Sequence, residues 1–302
     1  MPSRQITERL SAGERLLLDG ATGSELQRRG VYVSKGAIEG QLGPWSATAN
    51  IDAPEVVRAV HEDYLRLGAD IITSNNFWTS AARLSMVGLG DKWERYTRAA
   101  VELALAARDA VSPGAYVAGG IAPPNMGDLR AEFRDQVRVL AGEGVDLILA
   151  EYVGRVEDCA TVVEVCTESG LPVFLGVRHV TPEGTLQYGE SFEELGAALE
   201  GRPAAAVLLM CSDPPAISVC LPKLRAVYAG PIGAYANIGY HRNPEFHGAP
   251  SEHWHTIDQE TYPPERYAGF AAEWIALDAQ IIGGCCATGP EHIAALKPVV
   301  KG

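Results

Sequence analysis

No stretch of the 302-residue chain approaches the roughly 18 uninterrupted apolar residues that a membrane-spanning helix needs, and the opening MPSRQITERLSAGERLLLDG has no apolar run of signal-peptide length. A cytoplasmic protein without membrane contact is the expectation. Positive charge is also short, with 25 Lys and Arg against 38 Asp and Glu and a formal net charge of −13. Neutralising a nucleic-acid backbone takes clustered Lys and Arg, so nucleic acid is excluded as a partner and a small molecule is the expected ligand. Linkers rich in Pro, Gly or Ser are missing too, which argues for one domain over 1–302. Cysteines number only six, in apolar or glycine-rich surroundings of a long chain for which no signal peptide is expected, and reduced thiols are expected. With 47% hydrophobic residues the chain can bury a sizeable core without staples.

What is present is a regular alternation. Short apolar runs occur at 15–20 (RLLLDG), 69–75 (ADIITSN), 115–123 (AYVAGGIAP), 145–153 (VDLILAEYV), 172–179 (PVFLGVRH), 204–212 (AAAVLLMCS), 231–238 (PIGAYANI) and 279–286 (AQIIGGCC). Stretches with helical spacing follow each run. Strands buried on both faces and followed by amphipathic helices read as a parallel sheet, and eight repeats predict a closed α/β architecture, the (β/α)8 TIM barrel. In such barrels chemistry gathers at the C-terminal strand ends. The polar residues there are Asp19 and Gly20, Ser74 to Asn76, Gly119 and Gly120, Glu151, His179, Cys211, Asn237, Cys285 and Cys286.

Three cysteines therefore share one rim. Adjacent cysteines such as Cys285 and Cys286 do not readily bridge each other, because their Cα atoms are only about 3.8 Å apart. Three thiolates with one position left open suit catalytic zinc, which is four-coordinate and tolerates soft ligands. Gly283 and Gly284 are expected to remove bulk and to allow backbone angles that turn both sulfurs to one metal. A single cysteine in such a setting is ordinarily a core residue, and Cys159, Cys166 and Cys220 are read that way.

The stretches LLLDGATGSELQRRG (16–30), PWSATANIDAPEVVRAVHEDYLRLGADIITSN (44–75), LLMCSDP (208–214), AYANIGY (234–240) and GGCCATGPEHI (283–293) resemble, in order, the homocysteine S-methyltransferase family. The resemblance implies a zinc-dependent barrel that moves a methyl group onto a thiol, with Cys211, Cys285 and Cys286 as zinc ligands. It also implies that Asp19 and Glu151 hold the amino group of the acceptor, with Gly20, Ser74, Asn75 and Asn237 as further binding candidates. Backbone N–H groups near Gly20 to Thr22 are candidates for the substrate carboxylate. Aromatic faces attract methylated cations, which makes Trp45, Phe77, Trp78 and Trp254 donor-pocket candidates, although lid or core packing explains each equally.

The sequence departs from the family at two places. Phe77 and Trp78 stand where many members carry a Tyr able to approach the zinc, and Met210 stands where relatives often have Asn. The stretch 240–260, with His241, His247, His253 and His255, is expected to be a solvated cover and not a second metal site. The expected reaction moves a methyl group from a sulfonium donor such as S-methylmethionine to homocysteine. A betaine donor, or a selenol such as selenocysteine as acceptor, is the nearest variant. A corrinoid or folate methyl source is disfavoured, because eight β/α units leave no sequence for a further cofactor domain. A non-catalytic zinc-thiolate store or redox sensor is the alternative of another class. A monomer or small homo-oligomer is expected, since the chain lacks the C-terminal extension that betaine-homocysteine methyltransferases use to assemble.

Overall fold

The computed structural model describes residues 2, 4–38, 41–242, 245 and 255–302. The first seven apolar runs form β1 (Leu16–Leu17), β2 (Ile71–Thr73), β3 (Tyr116–Ile121), β4 (Leu147–Val153), β5 (Val173–Arg178), β6 (Ala206–Met210) and β7 (Ile232–Ala236). An antiparallel hairpin of β8 (Tyr240–Arg242) and β9 (His255–Ile257) follows, and β10 (Ala279–Gly284) takes the eighth run. The eight long-run strands are parallel, in the order β1, β10, β7, β6, β5, β4, β3, β2. The ring closes between β2 and β1 through a Leu18–Ile71 bridge, with Asp70 N donating to Leu17 O and Asp19 N to Ile71 O. The TIM barrel expected from the alternation is the fold observed.

Period-two alternation sorts each strand into two cores. Leu16 and Leu18, Leu147 and Leu149, Phe174, and Leu208 and Met210 point into the barrel, while Leu17, Ile148, Leu175 and Leu209 pack outward against the helices. Glu151 is the next inward position after Leu149, Arg178 follows Phe174 and Gly176, and Tyr235 follows Gly233. Those side chains therefore face the mouth. Two inward glycines make room there. A Cβ on Gly120 would lie 2.9 Å from Glu151 Oε1, and one on Gly176 would lie 2.5 Å from the Tyr235 hydroxyl.

The crossover helices have legible stops and starts. Asp128 caps helix Leu129–Glu143 by accepting from Arg130 N and Ala131 N, Ser191 and Glu194 form a capping box on Phe192–Leu199, and Gly68 and Gly144 end their helices in the left-handed region. A short helix ahead of the barrel, Ile6–Ser11, puts Ile6 and Leu10 into the inner core beside Leu16, Tyr116 and Leu147, and the Tyr116 hydroxyl donates to Arg4 O. One end of the barrel is plugged in this way. The opening is left at the C-terminal ends of the strands.

Candidate active site

The strand ladders run on past the barrel and deliver three sulfurs to one point. Cys211 N donates to Tyr235 O, Cys285 N to Ala236 O, and Gly284 N to Asp19 O, so the ends of β6, β7, β10 and β1 are laced together. Beyond β10 the turn is fixed by Thr288 Oγ1 on Cys285 O, Ser24 Oγ on Ala287 N, and Gln259 on Ala287 O. Cys211 Sγ lies 3.8 Å from Cys286 Sγ, Cys285 Sγ lies 3.9 Å from Cys286 Sγ, and all three sit within 4.8 Å of one another. An ion with metal–sulfur bonds of about 2.3 Å at tetrahedral angles places its sulfurs about 3.8 Å apart, so the three could hold a metal. Hydrogen bonds from Cys211 and Cys285 keep the Cys286 thiol well below its ordinary pKa, while the contacts to Cys211 and Cys286 raise that of Cys285.

The glycines before the pair remove bulk as expected, but do not supply the unusual backbone angles. Neither Gly283 nor Gly284 has a positive φ; the left-handed conformations fall on Cys211 (φ 46°) and Ala287 (φ 67°). Gly283 supplies space, because a Cβ there would lie 2.7 Å from Leu18 Cβ on the neighbouring strand.

Below the sulfurs the barrel interior turns polar. Asp19 is buried and accepts from Thr73 N at 2.7 Å and Thr73 Oγ1 at 3.1 Å; burial nevertheless lifts it to about 7. Glu151 is lifted to about 8 by burial, then by the charges of Asp19 and Cys286. The Tyr235 hydroxyl reaches Met210 Sδ at 3.2 Å. Two carboxylates this desolvated form a strong place for a cationic group, since an ammonium would restore the charge balance that burial opposes.

A pocket of about 330 Å³ opens over these groups, and among its lining residues are Asp19, Gly20, Ser74, Asn75, Glu151, Asn237 and the three cysteines. Its sides are aromatic. On one side Trp45 meets Tyr240 and His255 edge to face at 4.9 and 6.0 Å, and Tyr240 stacks on His255 at 4.8 Å. On the other, Phe77, Trp78, Tyr152 and His179 form a chain of ring contacts between 4.7 and 6.3 Å. Burial pushes His255 down to about 4, and burial with the Arg178 charge does the same to His179, so both imidazoles are neutral at pH 7.

Several predicted residues serve the walls more than the cavity. The Asn75 side chain donates to Ser46 O and Asn50 Oδ1 and accepts from Ser46 Oγ, which anchors the turn Trp45–Thr48. Ser74 Oγ donates to Asn76 Oδ1. Asn237 Oδ1 accepts from Gly239 N and Tyr240 N and so shapes the entry to the hairpin. Gly20 allows close approach of Tyr64, whose hydroxyl would lie 2.8 Å from a Cβ there. Of the backbone N–H groups near Gly20 to Thr22, that of Ala21 is taken by Thr288 Oγ1.

The stretch after β7 is not simply a solvated cover. Its two hairpin strands bring Tyr240 and His255 into the pocket wall, and Gln27 ties them down by accepting from the Tyr240 hydroxyl at 2.9 Å and donating to His255 O at 3.1 Å. Trp254, His247 and His253 lie outside the described residues. Tyr152, Tyr235 and Tyr240 are pocket residues that sequence reasoning passed over, and His255, expected in a solvated cover, is a fourth. Tyr235 was accessible by counting inward positions along its run. Tyr152 was not, because alternation points it outward and a left-handed φ of 62° turns it back.

Comparison with known proteins agrees with this geometry. The sequence profile described as Homocysteine S-methyltransferase matches residues 16–300. Betaine-homocysteine S-methyltransferase 1 of Rattus norvegicus is 30% identical over 97% of this chain and 74% of its own length. A selenocysteine methyltransferase of Astragalus bisulcatus is 28% identical over 100% of this chain and 97% of its own. Among solved structures, the metallated form of the homocysteine methyltransferase MmuM from Escherichia coli superposes with a TM-score of 0.76 and 25% identity, covering 94% of this chain and 96% of that one.

Proposed function

The chain belongs to the homocysteine S-methyltransferase family, and from that membership we propose that it transfers a methyl group from a sulfonium donor of the S-methylmethionine type to the thiol of homocysteine, giving methionine. The observation that carries the reading is the meeting of three thiol sulfurs and two buried carboxylates in one pocket.

Cys211, Cys285 and Cys286 are the proposed holders of a zinc ion, whose chemistry when bound is to draw the proton from the acceptor thiol at neutral pH. Asp19 and Glu151 would take the acceptor's ammonium and so fix which way its side chain points. The aromatic sides exclude water and align the acceptor sulfur with the methyl carbon of the donor. In the transfer a new sulfur–carbon bond forms, the carbon–sulfur bond of the donor breaks, and its electron pair stays on the donor sulfur, which leaves as a neutral thioether. That departure needs no proton, which suits a pocket whose His179 and His255 are neutral. A quaternary ammonium donor would leave as a more basic amine and so more reluctantly; the rat relative, named for betaine, makes it the nearest variant.

The test is an assay of zinc-supplied protein with homocysteine or selenocysteine as acceptor and S-methylmethionine or betaine as donor, read by formation of the methylated acceptor. Product from S-methylmethionine and homocysteine is expected. Turnover only with betaine would move the assignment to the variant, and no methylated product from any pair would overturn the reading.

A further inference from the structure

Strand alternation alone would scatter the three sulfurs. On β10 Ile281 faces the barrel interior and Ile282 the helices, so Gly283 and Cys285 fall on inward positions and Cys286 on an outward one. On β6 Met210 faces inward, which leaves Cys211 outward. A left-handed φ of 46° turns Cys211 back. Cys286 has no such angle and is brought round in another way.

The ladder slips there by one residue. Gly284 stands opposite Ala236 in the parallel pairing of β10 with β7, and Cys285 N donates to Ala236 O in step with that register. The next rung in step would carry Ile238 N to Cys285 O. Instead Ile238 N donates to Cys286 O at 3.1 Å, while Cys285 O accepts from Thr288 N and Thr288 Oγ1. An extra residue on one strand bends it and re-aims a side chain. Here it leaves Cys286 Sγ 3.9 Å from Cys285 Sγ and 3.8 Å from Cys211 Sγ.

Tyr267, on helix Pro264–Ala276, holds the last rung before the slip. The register sets Ala236 N opposite Gly283 O, and the Tyr267 hydroxyl joins them, accepting from Ala236 N at 3.0 Å and donating to Gly283 O at 2.7 Å. A hydroxyl can accept and donate at one atom, and so can stand between a peptide N–H and a peptide C=O. The ring is fully buried and is held edge to face by Trp274 at 5.7 Å and His292 at 5.9 Å, so the hydroxyl has one place to be.

We propose that Tyr267 is a positioning residue for the sulfur triangle: its hydroxyl pins β7 to β10 at Ala236 and Gly283, so that the extra residue falls at the cysteine pair and Cys286 is turned into the barrel mouth. Without the hydroxyl the rung is free to slide, and Cys286 returns toward the outward position that alternation gives it. The proposal rests on the reading of Cys211, Cys285 and Cys286 as metal ligands.

Tyr267→Phe keeps the ring and removes the hydroxyl. Tyr116→Phe, which removes the hydroxyl that donates to Arg4 O at the plugged end of the barrel, is the matched control. Zinc affinity of the full chain is measured by competition with a chromophoric chelator, the sulfur count by zinc-edge X-ray absorption, and stability by urea unfolding of metal-free protein. Zinc should bind about ten- to a hundredfold more weakly to Tyr267→Phe, the usual cost of losing a group that orients a metal ligand. The bound zinc should then show fewer than the three protein sulfurs of the unaltered site, while Tyr116→Phe keeps both values. A hydroxyl that serves stability alone would lower the urea midpoint and leave zinc affinity and sulfur count in place. That result, equal loss of zinc in both variants, or a Tyr267→Phe chain that does not fold overturns the proposal. An unaltered protein that takes zinc through no sulfur would overturn the reading of the metal site itself, and the proposal with it.

Discussion

Cys211 Sγ lies 3.8 Å from Cys286 Sγ across 75 positions of sequence. Nothing local brings them together. Each hangs from the end of a barrel strand, and β7 separates the two strands in the sheet. The sulfur triangle is therefore a product of barrel register, and its integrity can be followed separately from that of the other cysteines.

Cys286→Ala is expected to abolish stoichiometric zinc binding and turnover, and Cys211→Ala to do the same. Cys159→Ala, a change inside the outer core, should keep both near normal. Metal analysis of the purified variants checks this; equal metal loss in all three would break the division between site and core.

Glu151→Gln should weaken homocysteine binding by about ten- to a hundredfold, the size of one lost charge-assisted hydrogen bond of about 1.5–3 kcal/mol. Zinc content should stay intact, because the proposed partner of Glu151 is the substrate ammonium. Titration calorimetry alongside metal analysis separates the two effects, and loss of zinc in this variant would give Glu151 a different role.

Gln27→Leu removes two hydrogen bonds that tie the hairpin to helix Thr22–Arg28. Amide exchange at 240–242 and 255–257 should quicken, with the local opening free energy lowered by about 1–3 kcal/mol. The KM for the donor should rise with little change in zinc content. Unchanged exchange at those amides would mean that the hairpin is held by other contacts.

His61 is fully buried, neither ring nitrogen has a hydrogen-bond partner among the described residues, and burial pushes it down to about 4. Unfolding frees it to titrate near 6.5, so between these values the unfolded chain binds more protons and stability falls as pH falls. From pH 7 to pH 5 this one residue should remove about 2 kcal/mol. His61→Leu should escape that loss, and urea unfolding of both proteins at the two pH values measures the difference. Parallel losses in the two would place the acid sensitivity elsewhere.

Most of the barrel was legible because its determinants are local. Eight runs with period-two or continuous apolar character became the eight barrel strands, and Asp128, Ser191 and Gly68 punctuate helices as their chemistry dictates. The convergence of Cys211, Cys285 and Cys286 followed from placing strand ends on one rim. What escaped depends on features that no period announces. Tyr152 reaches the pocket through one left-handed residue, the hairpin is two three-residue strands inside a loop, and Asn75 resembled a ligand group in sequence until its bonds to Ser46 and Asn50 were seen to occupy it.

The pairing of β1 with β10 has a consequence for how the protein is made. Asp19 leaves the ribosome among the earliest barrel residues, while Cys285 and Cys286 emerge more than 260 positions later, yet Gly284 N must find Asp19 O before the ring can close. Throughout synthesis the nascent chain can present Cys211 but not its two partners, so a partly made chain has no three-sulfur site with which to capture metal. Closure of the last seam and completion of the sulfur triangle are one event, so the proposed zinc site exists only in a chain that has finished its barrel.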